Sequence, residues 1–274
     1  MWFKWKDIRV NYEIIGEGKP FLMIHGYTPD HRLMVGCMEP VFESASHYKR
    51  IYVDLPGMGL SERGEAIKNS DDMLEVLKSF IQDTIGNEPF LVAGESYGGY
   101  LTRGLIHSMS DQIEGALFIC PLIKAYKREV PPKEILLKNP ALLDQLSDQE
   151  REMYESIAVV QDEQTWQHFK TYVIPGLLKA DMVFLERFRN EGYGFTFDEA
   201  LAYDVFKKPA LFLNGRQDTS VGYKDAWGIM DQYPRGTYVA LDRAGHSLEA
   251  EQSILFKALV KEWLFRCEEA TDNL

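Results

Sequence analysis

Six short runs of aliphatic and β-branched residues, each bounded by turn formers, punctuate the chain: Phe21 to Ile24, Ile51 to Val53, Phe90 to Ala93, Ala116 to Ile119, Ala210 to Leu213 and Tyr238 to Leu241. They are apolar throughout instead of alternating, which predicts strands covered on both faces, as in a parallel sheet. Helical patterns lie between them. Met73, Leu74, Leu77, Phe80 and Ile81 recur at helical spacing after the acidic start Ser70-Asp71-Asp72, with Gly86 as a natural stop. Near the end, Ser253 to Phe265 sets Ile254, Leu255, Ala258, Leu259 and Trp263 on one expected face. Strands alternating with helices predict a doubly wound α/β sheet with right-handed crossovers.

Two stretches depart from this alternation. Asp7 to Ile15 alternates loosely and turns at Gly16-Glu-Gly18 into the strand at Phe21, which reads as antiparallel edge strands joined by hairpins. From 121 to 208 the sequence is charged, helix-forming and rich in Leu, Tyr, Phe and Trp, without a convincing core strand. Pro131-Pro132, Pro140 and Pro175-Gly176 divide it into about four short helices. A helical, aromatic insertion between two sheet strands is the pattern expected of a lid over a strand-end pocket. The expected organisation is therefore a core of residues 1–120 and 209–274 carrying a lid of residues 121–208, with Glu268 to Leu274 as a frayed tail.

With 274 residues, 45% of them hydrophobic, the chain can bury one large core and carry an insertion upon it. A net charge of -12 argues against nucleic-acid or anionic-membrane partners, and the cluster Lys124, Lys127, Arg128 sits among acidic neighbours as a solvated face. Cys37, Cys120 and Cys267 form no C-x-x-C pair, so neither a disulfide framework nor a thiolate zinc site is expected. No stretch reaches about 18 consecutive apolar residues, and the first residues lack a signal-peptide core, so a soluble cytoplasmic protein is expected.

Gly94-Glu95-Ser96-Tyr97-Gly98 matches G-x-S-x-G, directly after the apolar run Phe90 to Ala93 and before a helical pattern that includes Leu101, Leu105, Ile106 and Met109. Such a strand-to-helix turn forces the serine into a strained conformation that presents its hydroxyl, and only small residues fit beside it. Leu91 to Tyr100 resembles the nucleophile elbow of α/β-hydrolases. Met23-Ile-His-Gly-Tyr27 and Tyr52-Val-Asp-Leu-Pro-Gly-Met-Gly-Leu-Ser61 resemble further segments of that family, in its order and spacing. The resemblance spans nearly the whole chain and fails only across the lid. It implies a mostly parallel eight-stranded sheet flanked by helices, with a helical lid inserted after the sixth strand. Asp54 to Gly59 does not read as a dinucleotide loop, because Glu62 stands where the third glycine of G-x-G-x-x-G belongs.

A serine hydroxyl is a poor nucleophile at neutral pH and needs a base to take its proton and an acid to orient that base. Asp218 follows the run Ala210 to Leu213, and His246 follows the last strand. The chain order Ser96, Asp218, His246 matches the hydrolase fold, with Asp242 as the alternative acid. The resemblance further implies that the backbone N–H groups of Tyr27 and Tyr97 form an oxyanion hole, and His25 is expected to fix that loop by hydrogen bonding. No metal or organic cofactor is called for. A substrate wall is hypothesised from Trp166, Phe169, Tyr172, Phe184 and Phe188, although aromatics at helical spacing are lid core more often than substrate wall.

Hydrolysis of a small carboxylic ester is the first expectation. The Ser-Tyr-Gly-Gly segment is also similar to proline iminopeptidases, but His25-Gly-Tyr-Thr-Pro-Asp30 lacks the glycine- and proline-rich loop of that group. Carbon–carbon bond hydrolases and thioesterases use similar triads and stay open, as does a small-molecule receptor on the same fold. Serine at position 96 separates the chain from haloalkane dehalogenases and epoxide hydrolases, which use aspartate. The sequence gives no indication of oligomeric state.

Overall fold

The structure is a computed structural model that describes residues 1–42 and 47–272. Strands β1 (Trp2–Trp5), β2 (Ile8–Ile15), β3 (Lys19–Ile24), β4 (Tyr48–Val53), β5 (Phe90–Glu95) and β6 (Ile113–Ile119) come first in the chain. The two-residue strands β7 (Leu137–Lys138) and β8 (Val160–Gln161) pair only with each other. β9 (Ala210–Gly215) and β10 (Gly236–Leu241) complete an eight-stranded sheet in the order β1-β2-β4-β3-β5-β6-β9-β10. From β4 to β10 every pairing is parallel, while β1 and β2 form an antiparallel edge. Phe21, Leu22, Met23 and Ile24 are each 0% exposed, so these unbroken apolar runs belong to strands with helices on both faces.

The edge differs from the expected hairpins. β1 and β2 do form one, but β2 is followed in sequence by β3 and pairs instead with β4, which lies between them. The chain reaches β3 by passing around the start of β4. Gly18, at φ +112°, runs so close to His47 that a Cβ would stand 2.1 Å from its carbonyl oxygen. A turn that looks local in sequence is thus a bypass around another strand.

The helices are α1 (His31–Met38), α2 (Ser70–Thr84), α3 (Tyr97–Met109), α4 (Pro140–Leu143), α5 (Asp148–Ile157), α6 (Glu163–His168), α7 (Ile174–Leu177), α8 (Met182–Glu191), α9 (Lys224–Trp227), α10 (Leu248–Glu251) and α11 (Ser253–Asp272). α2 begins with a capping box between Asn69 and Asp72 and buries Met73, Leu74, Leu77, Phe80 and Ile81. α4 to α8 all lie between β6 and β9, where four helices were expected, and a π-helical turn (Phe169–Val173) joins α6 to α7.

α11 corrects two expectations. It continues through Asp272, so the segment from Glu268 is helical up to that point, and positions 273 and 274 lie outside the described residues. Its buried face is Phe256, Val260, Trp263, Leu264 and Cys267; of the expected face Trp263 is buried and Leu259 partly so, whereas Ile254 is 79% exposed and Leu255 is exposed too. Both arcs are apolar at helical spacing, and the bulkier one, with Phe256 and Trp263, meets the sheet. Among the described residues no helix is long and apolar enough to cross a membrane.

Candidate active site

β5 ends at Glu95 and α3 begins at Tyr97, leaving Ser96 alone in the turn with φ +51° and ψ -114°. The tightness of this turn dictates its neighbours. A Cβ on Gly98 would lie 2.2 Å from the Ile24 carbonyl oxygen, and one on Gly94 would lie 2.3 Å from that of Gly98. The strained backbone is pinned by three hydrogen bonds: Ser96 N donates to Ile119 O, while Ser96 O accepts from Leu122 N and Tyr100 N.

The loops that follow β9 and β10 bring Asp218 and His246 to this turn. Asp218 is fully buried, and its Oδ1 accepts from the backbone N–H groups of Ser220 (2.7 Å) and Val221 (3.1 Å). Its Oδ2 lies 2.8 Å from His246 Nδ1, and His246 Nε2 lies 3.0 Å from Ser96 Oγ. An acceptor-only carboxylate at Nδ1 requires the proton there, so that in the neutral ring Nε2 is left to accept from the serine hydroxyl. Burial works against an imidazolium at His246, but Asp218, then Glu95 and Glu249, outweigh it and push its pKa up to about 9. Asp242 is exposed and accepts from Gln217 Nε2, so it does not reach the imidazole.

His25 is fully buried. Its Nδ1 lies 2.6 Å from Gly26 O and its Nε2 accepts from Leu55 N at 3.0 Å, which ties the loop after β3 to the loop after β4. Beyond it, the backbone N–H groups of Tyr27 and Tyr97 donate to no protein acceptor among the described residues.

Over Ser96 opens a cavity of about 380 Å³. Met153, Ile157, Phe169, Val173 and Leu177, from the segment between β6 and β9, supply most of its apolar side, with Pro29 and Leu33 from the stretch after β3. Of the five aromatic residues expected to form a substrate wall, Phe169 is there and four are not. Trp166 packs edge-on against Tyr154 at 5.3 Å. Phe184 and Phe188 pack against one another, and Phe188 contacts Tyr27 and Tyr97. Tyr172 lies over Gly36 and borders a separate cavity. Helical periodicity marks such rings for packing, and here Trp166 packs inside the insertion while Tyr172, Phe184 and Phe188 pack it onto the rest of the fold.

Sequence reasoning passed over three carboxyls here. Glu95 and Glu249 line the cavity, and Glu249 Oε1 is 3.5 Å from His168 Nε2. Glu251 accepts from the backbone N–H groups of Gly245, Val159 and Val160, joining the His246 loop to the insertion. Burial raises its pKa to about 7 against the pull of those donors. One signal was available for Glu95: a charged residue ending a run that is otherwise wholly apolar or small.

Two groups of ligand-type side chains cluster within 4.8 Å among the described residues: Cys120, Asp218 and His246, and Asp30, His31 and Asp54. Both are already engaged within the protein. The Cys120 thiol is kept neutral by burial and donates to Gly245 O. Asp54 accepts from Asn11, from Leu60 and from both the backbone and ring of His31.

Comparison with known proteins places this geometry in context. The profile of the alpha/beta hydrolase fold family matches residues 19–249. An alpha/beta superfamily hydrolase from Oenococcus oeni PSU-1 is 31% identical and superposes with a TM-score of 0.88, covering 94% of this chain and 96% of that one. An esterase from Rhodococcus sp. ECU1013 shares the fold at 18% identity, with a TM-score of 0.73 and 96% of each chain covered. The pimeloyl-[acyl-carrier protein] methyl ester esterase of Shewanella oneidensis is 29% identical over 127 residues, which span 45% of this chain and 43% of that protein.

Proposed function

This chain belongs to the alpha/beta hydrolase fold family, and on that footing we propose that it hydrolyses small carboxylic esters through an acyl-enzyme on Ser96. The observation that carries the reading is the unbroken relay from Asp218 Oδ2 through His246 to Ser96 Oγ, mounted on a strained elbow at the floor of a half-apolar cavity. The esterases among the similar proteins favour an ester over other acyl compounds.

Ser96 Oγ attacks the ester carbonyl carbon while its proton passes to His246 Nε2. The tetrahedral oxyanion accepts hydrogen bonds from the Tyr27 and Tyr97 amides, whose N–H groups are unspent, and the positive end of α3 adds to their effect. Collapse of the intermediate breaks the bond to the leaving oxygen, which takes the proton from His246. Water then attacks the acyl-serine with His246 again as base, releasing the acid and restoring the hydroxyl. Asp218 holds the imidazole in the tautomer that both half-reactions need. Residues 121–208 serve as the lid, and their apolar side chains receive the acyl group.

A fluorophosphonate tests the nucleophile: one adduct is expected, on Ser96, and none in Ser96→Ala. Absence of labelling in the wild type would leave a binding module instead of an enzyme. Graded-chain nitrophenyl esters assayed beside aminoacyl-anilides test the bond, and turnover of the anilides alone would overturn the ester reading.

A further inference from the structure

A second carboxyl competes for the proposed base. Glu95 occupies the position before Ser96, its side chain is only 4% exposed, and its Oε1 lies 3.2 Å from His246 Nε2. That nitrogen is also the one facing Ser96 Oγ. The other carboxyl oxygen of Glu95 fills the space above Gly26, where a Cβ would stand 2.1 Å from Oε2 and 3.1 Å from the Ser96 Cβ. The group is therefore wedged between the loop that carries Tyr27, the nucleophile and the imidazole.

Its charge changes what Nε2 can do. Without a negative charge at position 95 the imidazolium gives up its Nε2 proton more readily, and the lone pair it leaves then serves the serine hydroxyl. An ionised Glu95 accepts the Nε2–H of an imidazolium and holds the proton on the atom that must receive the one from Ser96. We propose that Glu95 is a positioning residue that sets the pH range in which His246 acts as base, its carboxylate trapping the imidazolium and delaying activation of Ser96 to alkaline pH. The inference rests on the reading of Ser96 as nucleophile.

The surroundings of both groups favour the pair. Burial pushes the Glu95 carboxyl up to about 8, against the pull of His246, while His246 stands near 9. The trap requires that the carboxyl ionise before the imidazolium gives up its proton, so that the buried ion pair exists between the two steps. The other groups around the pair act alike with and without Glu95. Asp218, from the loop after β9, and Glu249, from α10, also favour the imidazolium. Glu251 is held by backbone N–H groups, and His168 of α6 faces Glu249. Burial keeps the thiols of Cys37 and Cys120 neutral. Stacked between Tyr97 and the cation of Arg128, the Tyr193 phenol is also held up by burial, while Arg189 supplies a cation on the lid side of the cavity.

Glu95→Gln preserves shape and removes the charge. Two readouts are needed: the pH dependence of fluorophosphonate labelling, and titration of the His246 ring protons by NMR in the Ser96→Ala background, which requires no activity. In Glu95→Gln both midpoints should fall by at least about one pH unit, a tenfold change in proton affinity. Midpoints that stay where the wild type has them overturn the proposal. Should the variant fail to fold, carboxyl-13C titration of the wild type decides, since Glu95 must ionise at a lower pH than His246 and the reverse order overturns the trap. No labelling of the wild type at any pH would sink the proposed reaction, while the NMR titration would still judge Glu95.

Discussion

Asp218 spends each of its oxygens differently: Oδ1 on two backbone amides of its own loop, Oδ2 on His246. Replacing it by asparagine keeps the size but puts an N–H beside one of these donors or presents a donor to Nδ1, so the imidazole is driven to the wrong tautomer. Asp218→Asn should therefore lower ester turnover by roughly 10^4-fold with little change in KM. Near-normal turnover would show that the imidazole does not depend on this carboxylate. Asp242, the alternative acid along the sequence, is exposed and bonded to Gln217, and its neutral variant should leave turnover within about twofold.

At the scale of elements, the site depends on how closely α3 approaches the sheet. Gly98 packs onto the carbonyls that end β3, and the Ile24 oxygen offers no flexible side chain that could move aside. Gly98→Ala should cost about 4 kcal/mol or more in denaturant unfolding, in the range reserved for backbone clashes and strain. It should also slow labelling of Ser96 in whatever folded protein remains. A loss under about 1 kcal/mol would mean that the elbow is far looser than its hydrogen bonds indicate. The insertion joins this arrangement through Glu251, whose carboxylate holds the amides of Val159 and Val160 together with that of Gly245. The roof of the cavity and the His246 loop are thus tied to one another.

For the whole molecule, the buried ionisable groups set a common direction for stability against pH. Glu95 is raised from an ordinary 4.5 to about 8, and Glu251 from 4.5 to about 7, so each stabilises the fold while protonated. Those contributions are complete below the ordinary value and are lost as pH climbs through the raised one. His246, raised from 6.5 to about 9, likewise contributes fully below 6.5 and ceases to do so above 9. At the acid end Asp54 acts oppositely: burial raises its pKa, but the His31 hydrogen bond and charge lower it below the ordinary carboxylate range, so its contribution is lost as pH falls. The thermal midpoint should fall steadily from pH 6 to pH 9, and less steeply in Glu95→Gln. Scanning calorimetry across that interval checks this, and a midpoint that rises with pH would contradict it.

Much of this was legible along the chain. The runs at Phe21, Ile51, Phe90, Ala116, Ala210 and Tyr238 announce strands because a strand covered on both faces needs apolar residues at every position, and that requirement is local. The glycines around Ser96 announce a tight turn for the same kind of reason. What could not be read required knowing which neighbour a segment meets. The turn at Gly16 to Gly18 looks like a hairpin until β4 is found beside β2. α11 offers two apolar arcs that share Trp263, and only contact with the sheet selects the one with Phe256 and Val260 over the one with Ile254 and Leu255. Trp166, Phe184 and Phe188 are recognisably buried, yet whether against substrate or against each other depends on how the insertion packs.

The sequence by itself determined the residue types, their order, and the sites where backbone strain and unbroken apolarity would occur, since steric limits and the cost of exposing apolar surface act on each short segment. Tertiary structure alone decided which carboxyls reach His246. Asp218 and Glu95 are far apart in the chain, and only the convergence of strand ends at one edge of the sheet sets both against the same imidazole, in a setting dry enough for their charges to matter.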